Sequence, residues 1–129
     1  MIAGEDLTGD LYRVVTMNTD GEAVLATAAG DYCLGVVAMN PNLSQGNTAS
    51  SENNPVRIAL LDGIVTIEAG GAIAAGDLVH AAANGQIVSA GANIAALAAG
   101  DYVIGQAMEA ASAAGEQISV FARPFLHAA

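Results

Sequence analysis

Lysine and tryptophan are absent, cysteine occurs once, proline occurs three times, and aromatic residues make up only 4% of the 129 residues. Each shortage excludes something. Three arginines against thirteen acids leave a formal net charge of −10. A nucleic-acid backbone binder needs several cations aimed at phosphates, so direct DNA or RNA binding is excluded, and adhesion to an anionic membrane is disfavoured for the same reason. The lone Cys33 cannot build an intrachain disulfide framework, and an oxidising compartment is not required. No apolar run reaches the length of a membrane-spanning helix, and the opening MIAGEDLTGD lacks the basic region and apolar stretch of a signal peptide.

What is present is alanine, between a fifth and a quarter of all residues. An alanine methyl buries far less area than a leucine or phenylalanine side chain, so a lone monomer has a thin core and close subunit contacts are the expected place for the surplus. The length predicts one domain. Short period-2 runs separated by Gly, Asn and Asp predict an all-β fold, a small β-barrel or β-sandwich-like meander with at most one short helix. Residues 1–11, polar and carrying Gly4 and Gly9, read as an irregular N-terminal arm, 12–123 as the β domain and 124–129 as a tail. Within the domain, the polar stretch 40–54 reads as a surface loop.

Tyr12–Asn18 and Ala23–Thr27 are strand candidates around the turn Thr19-Asp20-Gly21-Glu22. Leu78–His80 and Gln86–Val88 flank Asn84-Gly85, and residues 89–99 have room for one or two helical turns from Asn93. Asp62-Gly63 is a further two-residue hairpin signal. It predicts Arg57 opposite Glu68, with Ile58, Leu60, Val65 and Ile67 on the inward face. Tyr102–Glu109 and Gln117–Arg123 are the last strands, the latter limited by Pro124. Beyond it, Phe125 and Leu126 join Phe121 in placing much of the scarce bulky apolar surface near the C-terminus. These three are the candidates for an oligomer contact.

One tetrapeptide recurs as Ala28-Ala29-Gly30-Asp31, Ala74-Ala75-Gly76-Asp77 and Ala98-Ala99-Gly100-Asp101, with a weaker copy at Ala113-Ala114-Gly115-Glu116. Each precedes a strand candidate. The physical reading is a tight turn in which glycine takes a special backbone conformation and the acid caps local amides. A Ca²⁺ site needs closely spaced acids converging on the ion, and no such run exists. His80 has no second histidine, cysteine or acid near it in sequence, His127 lies in the tail, and Cys33 sits in an apolar run as a buried, inert thiol. No nucleophile, metal or phosphate-loop motif is present, so neither a catalytic residue nor a cofactor is assigned. An enzyme subunit would need a polar pocket converging on His80. A carbohydrate- or ligand-binding module would need a groove lined by Tyr12, Tyr32 and Tyr102.

The order of several elements along nearly the whole chain carries a resemblance. They are Glu5-Asp6-Leu7, Gly35-Val36, Asp62-Gly63, Gly71-x-Ile73-x-x-Gly76-Asp77-x-Val79, Gly85-x-Ile87, Ile104-Gly105-x-Ala107 and Gly115-Glu116-x-Ile118-x-Val120. In these the chain resembles the small capsid decoration, or head cement, proteins of tailed bacteriophages. The resemblance implies a non-enzymatic β domain that binds the outer surface of an icosahedral head, on the lattice of the major capsid protein, and stabilises the shell against the pressure of packaged DNA. It implies a homotrimer on the virion, present in the host cytoplasm before assembly. It also implies an N-terminal arm that clamps the shell, with Ile2, Glu5, Asp6, Leu7 and Leu11 as contact candidates. The polar loop 40–54 is the departure from the pattern.

Overall fold

Local turn chemistry forms two hairpins. The Asn18 side-chain oxygen accepts from the amides of Asp20 (3.0 Å) and Glu22 (2.9 Å), and Gly21 takes a φ of 77°. Strands β1 (Val14–Met17) and β2 (Ala23–Leu25) run antiparallel from that turn, Thr16 opposite Val24. Asn84 and Gly85 both take positive φ, 62° and 72°, in the three-residue turn Ala83–Gly85, which the Ala82 amide closes on the Gln86 carbonyl at 2.8 Å. The adjoining pair, Leu78–Ala81 and Ile87–Gly91, places Ala81 opposite Ile87.

The computed structural model describes residues 1–38, 52 and 55–128. After β1 and β2 the chain continues as β3 (Gly35–Val37), β4 (Ile58–Leu60), β5 (Gly63–Glu68), β6 (Leu78–Ala81), β7 (Ile87–Gly91), β8 (Tyr102–Ala107) and β9 (Gln117–Leu126). The helical pieces among the described residues are short 3₁₀ turns at Ala83–Gly85 and Ile94–Ala96. Two sheets result, ordered β2-β1-β3-β4 and β5-β9-β8-β6-β7, with every named pair antiparallel. The chain is an all-β sandwich. The polar stretch read as a surface loop lies outside the described residues except for Glu52.

Strand alternation gives the protein two cores. Val14 and Val36 face the five-stranded sheet and pack with Ile67, Val79, Ile87, Ile104, Ile118 and Val120. Their sequence neighbours Val15 and Val37 point to the other side of the four-stranded sheet, where Ala3, Leu7, Ala23 and Val56 meet them. Residues 1–11 are irregular, as their composition suggests, with isolated bridges at Ile2 and Ala3, but they are bound to the sheet. Ala23 donates to the Ile2 carbonyl and accepts from Gly4, both at 2.8 Å, while Val56 donates to the Met1 carbonyl at 2.8 Å. The segment is thus tied both to β2 and to the approach to β4, the two outer strands of that sheet, and Leu7 beneath it is only 1% exposed. The physical reason is that a second apolar face of valines needs a cover, and Ala3 and Leu7 supply it.

The expected hairpin at Asp62-Gly63 does not form. β4 pairs with β3, Ala59 opposite Val36, and β5 pairs with β9, Thr66 opposite Ser119. Gly63 does take a positive φ of 72°, but Asp62 does not, and the Asp62 amide bonds the Leu60 carbonyl at 2.9 Å. This tight bend carries the chain from one sheet into the other, with Leu61 buried in the main core. Consequently Arg57 does not face Glu68, Leu60 is 63% exposed, and Ile58 packs on the smaller core; Val65 and Ile67 do point inward.

β9 also passes the proline expected to limit it. Between the pairs Gly105–Ala122 and Val103–Phe125 it holds one extra residue, so Pro124 sits in a bulge, and β5 has already ended at its other side opposite Ala122. The tail continues this pairing, with the His127 amide on the Asp101 carbonyl (2.8 Å) and the Gly100 amide on the His127 carbonyl (2.7 Å).

Candidate functional site

The four acidic tetrapeptides have one hydrogen-bonding scheme. A carboxylate oxygen of Asp31 accepts from the amide of Ala28 (3.2 Å), Asp77 from Ala74 (3.0 Å), Asp101 from Ala98 (3.0 Å) and Glu116 from Ala113 (2.7 Å). Gly76, Gly100 and Gly115 have φ of 92°, 90° and 92°, a region where a side chain is strained. Gly30 differs: its φ is not positive, and it lies close to the Gly100 carbonyl oxygen. The hydrogen bonds from Ser112 and Ala113 hold the Glu116 carboxyl below its ordinary range, the Ser112 side chain foremost. Asp77 also accepts from the Ser89 hydroxyl at 2.8 Å. Asp62 is exposed beside Gly63 at the bend between the sheets.

Other polar residues of chemical interest are dispersed. His80 Nδ1 lies 2.8 Å from the carbonyl oxygen of Ala81, its neighbour. Cys33 is buried, its Sγ 3.3 Å from the Asp31 carbonyl oxygen, and burial together with Asp31 pushes its pKa up to about 12. Among the described residues no three His, Cys, Asp or Glu side chains are grouped to hold a metal. Tyr32 and Tyr102 pack with ring centroids 5.0 Å apart, whereas Tyr12 lines a depression whose walls include neither of them.

The partner of Glu68 is Arg13. The Nε–Oε2 distance is 3.1 Å, Gln86 adds a bond to the same oxygen at 2.7 Å, and Arg13 Nη1 lies 3.3 Å from Asp10. Burial pushes the Asp10 carboxyl upward despite the opposing pull of the Arg13 guanidinium, so desolvation outweighs that contact. This cluster ties the end of the N-terminal segment to the end of β5.

Of the five residues considered for an N-terminal contact, Ile2 and Asp6 are exposed. The Glu5 carboxylate accepts from the Leu25 amide at 2.7 Å, Leu7 is buried, and Leu11 packs against the smaller core. Asp6 accepts from Thr8, side chain and backbone, which lowers its pKa.

The bulky residues near the C-terminus lie on or beside the solvent face of the five-stranded sheet. Phe121, 44% exposed, stands opposite Ile64, 65% exposed, and the Arg123 guanidinium lies 5.5 Å from the Phe121 ring centre. Phe125 and Leu126 are exposed further along β9, and Phe121 and Phe125 line a shallow depression with Leu78, Gly105 and Gln106. Sequence reasoning missed Ile64 and Arg123 as surface elements. The signal for Ile64 was the alternation of β5 itself, once Asp62-Gly63 is no longer required to pair β5 with β4.

The family model of the XM1 gp53 minor capsid protein matches residues 11–121. No curated protein and no solved structure matches the chain.

Proposed function

The chain belongs to the XM1 gp53 minor capsid protein family, and on that premise we propose that it braces a phage head from the outside, as a homotrimer seated on the lattice of the major capsid protein. At the level of the family it is a structural, non-enzymatic component of the capsid. The observation that carries the finer reading is the set of exposed apolar side chains along β5 and β9, namely Ile64, Phe121, Phe125 and Leu126. Ile64, Phe121 and Phe125 gather on one surface, with Leu126 exposed beside it. Such groups favour a protein partner, because covering them removes area from water at about 25 cal/mol per Å². A net charge of −10 turns that partner away from nucleic acid.

In this reading Phe121, Phe125 and Leu126 form the contact between trimer subunits. Ile2 and Asp6 face the shell, and Glu5, Leu7 and Leu11 hold that segment in place. A protein that binds the intact shell and not its disrupted form stabilises the shell by linkage, and many copies on a repeated lattice multiply a modest contact energy. Heads prepared without the protein should release DNA at a lower temperature than heads to which it has been added back. Equal release temperatures would refute the brace. Sedimentation of the isolated protein should give a trimer that Phe125→Ser dissociates.

A further inference from the structure

The outer edge of β5 is a half-made ladder. Glu68 donates its amide to the Tyr12 carbonyl at 2.8 Å, away from β9. Backbone groups of alternate residues in a strand point the same way, so the amides and carbonyls of Thr66 and Ile64 also face away from β9. The partner strand agrees. Opposite Thr66, Ser119 gives its amide to Glu109 Oε1 (2.9 Å) and accepts the Met108 amide at its carbonyl (2.9 Å). Opposite Ile64, the Phe121 carbonyl points at Gly105 on β8. Among the described residues, the outward backbone groups of Ile64 and Thr66 have no hydrogen-bond partner. Both residues are exposed, and they border a depression of about 230 Å³ lined also by Tyr12, Val37, Ala38 and Ala59.

We propose that this edge receives an extended segment of a shell subunit as an added strand, pairing with the backbone of Ile64 and Thr66. The inference rests on the reading of the protein as shell-bound and names the contact by which the shell is held. Alternate residues of a strand present their donors and acceptors about 6.8 Å apart, a pattern met by another extended backbone. Val36, Val37, Ala38, Ala59 and Val65 make most of the lining of the neighbouring depression apolar, so an aliphatic residue of the added strand fits it. A second copy already has its place in this reading, against Phe121, Phe125 and Leu126 of β9, which leaves the β5 edge to the shell. Charge complementarity to a chain of −10 selects a neutral or basic segment. Tyr12 follows directly on the N-terminal segment and lines the same depression, so the edge continues the surface assigned to the shell.

Thr66→Pro tests this directly. It removes an amide that no internal bond uses, so the β5–β9 ladder should survive, whereas Thr66→Ala keeps the amide. The probe is purified heads lacking this protein. Thr66→Pro should bind them about tenfold more weakly and Thr66→Ala like the natural chain. Hydrogen exchange on the natural chain provides a measurement independent of the folding of the variant. A peptide covering residues 63–68 should exchange fast at Ile64 and Thr66 in the free protein and become protected on heads. Unchanged exchange there, or full binding by folded Thr66→Pro, overturns strand addition and leaves the brace standing. Failure of the natural chain to bind heads overturns both. Protection that appears in the free protein as its concentration rises, and is lost in Thr66→Pro, would assign the edge to a second copy and overturn the shell segment.

Discussion

A side chain on Gly105 would run into the carbonyl oxygen of Phe121 on the neighbouring strand. The two strands approach there because β8 has no Cβ to hold them apart, and the bulge at Arg123–Pro124 follows immediately. Gly35 stands in the same relation to the Ala59 carbonyl oxygen in the other sheet.

Gly105→Ala should therefore destabilise the protein by about 1–3 kcal/mol, since backbone rather than a flexible side chain must move. Gly71→Ala is the control, because nothing lies near its added methyl and its φ is not positive. Urea unfolding should separate the two variants. Equal midpoints would contradict the close approach.

A double-mutant cycle distinguishes the real partner of Glu68 from the one that the hairpin signal suggests. Arg13 and Glu68 are both mostly covered, so their coupling should be about 0.5–3 kcal/mol. The cycle between Arg57 and Glu68 should show no coupling. A measurable Arg57–Glu68 coupling would restore the local hairpin.

Leu7 belongs to the folded unit. Leu7→Ala should cost about 2–5 kcal/mol, as expected for a leucine that is 1% exposed. Removing residues 1–7 should lower the melting temperature further, because the valine face beneath is uncovered. Melting by circular dichroism checks both variants, and an unchanged truncation would return this segment to the status of a free arm.

The pH dependence of one turn has a definite sign. Hydrogen bonds hold the folded Glu116 carboxyl below its ordinary value of 4.5. Its contribution is present above that ordinary value and is lost as pH falls through the depressed folded value. Glu116→Gln should therefore melt at a lower temperature than the natural protein near neutrality, with the gap closing in strong acid. A gap that widens in acid would reverse the assignment.

The sequence by itself determined the all-β class, the two hairpins at Asp20-Gly21 and Asn84-Gly85, and the acid-capped turns. Each depends on residues within a few positions of one another, where turn chemistry and strand alternation act directly. Asn84 and Gly85 both take the positive φ that their residue types accept, so the local signal and the fold agree at that turn. Tertiary structure decided what competes for a strand. Asp62-Gly63 permits a hairpin, but β9 supplies a six-residue ladder to β5, and Asp62 stays outside the left-handed region. The pairing is non-local, so the turn signal could not reveal it. The same holds for Ala3 and Leu7. Their burial depends on the second face of Val15 and Val37, which exists only once the strands have paired and both faces of the four-stranded sheet need cover.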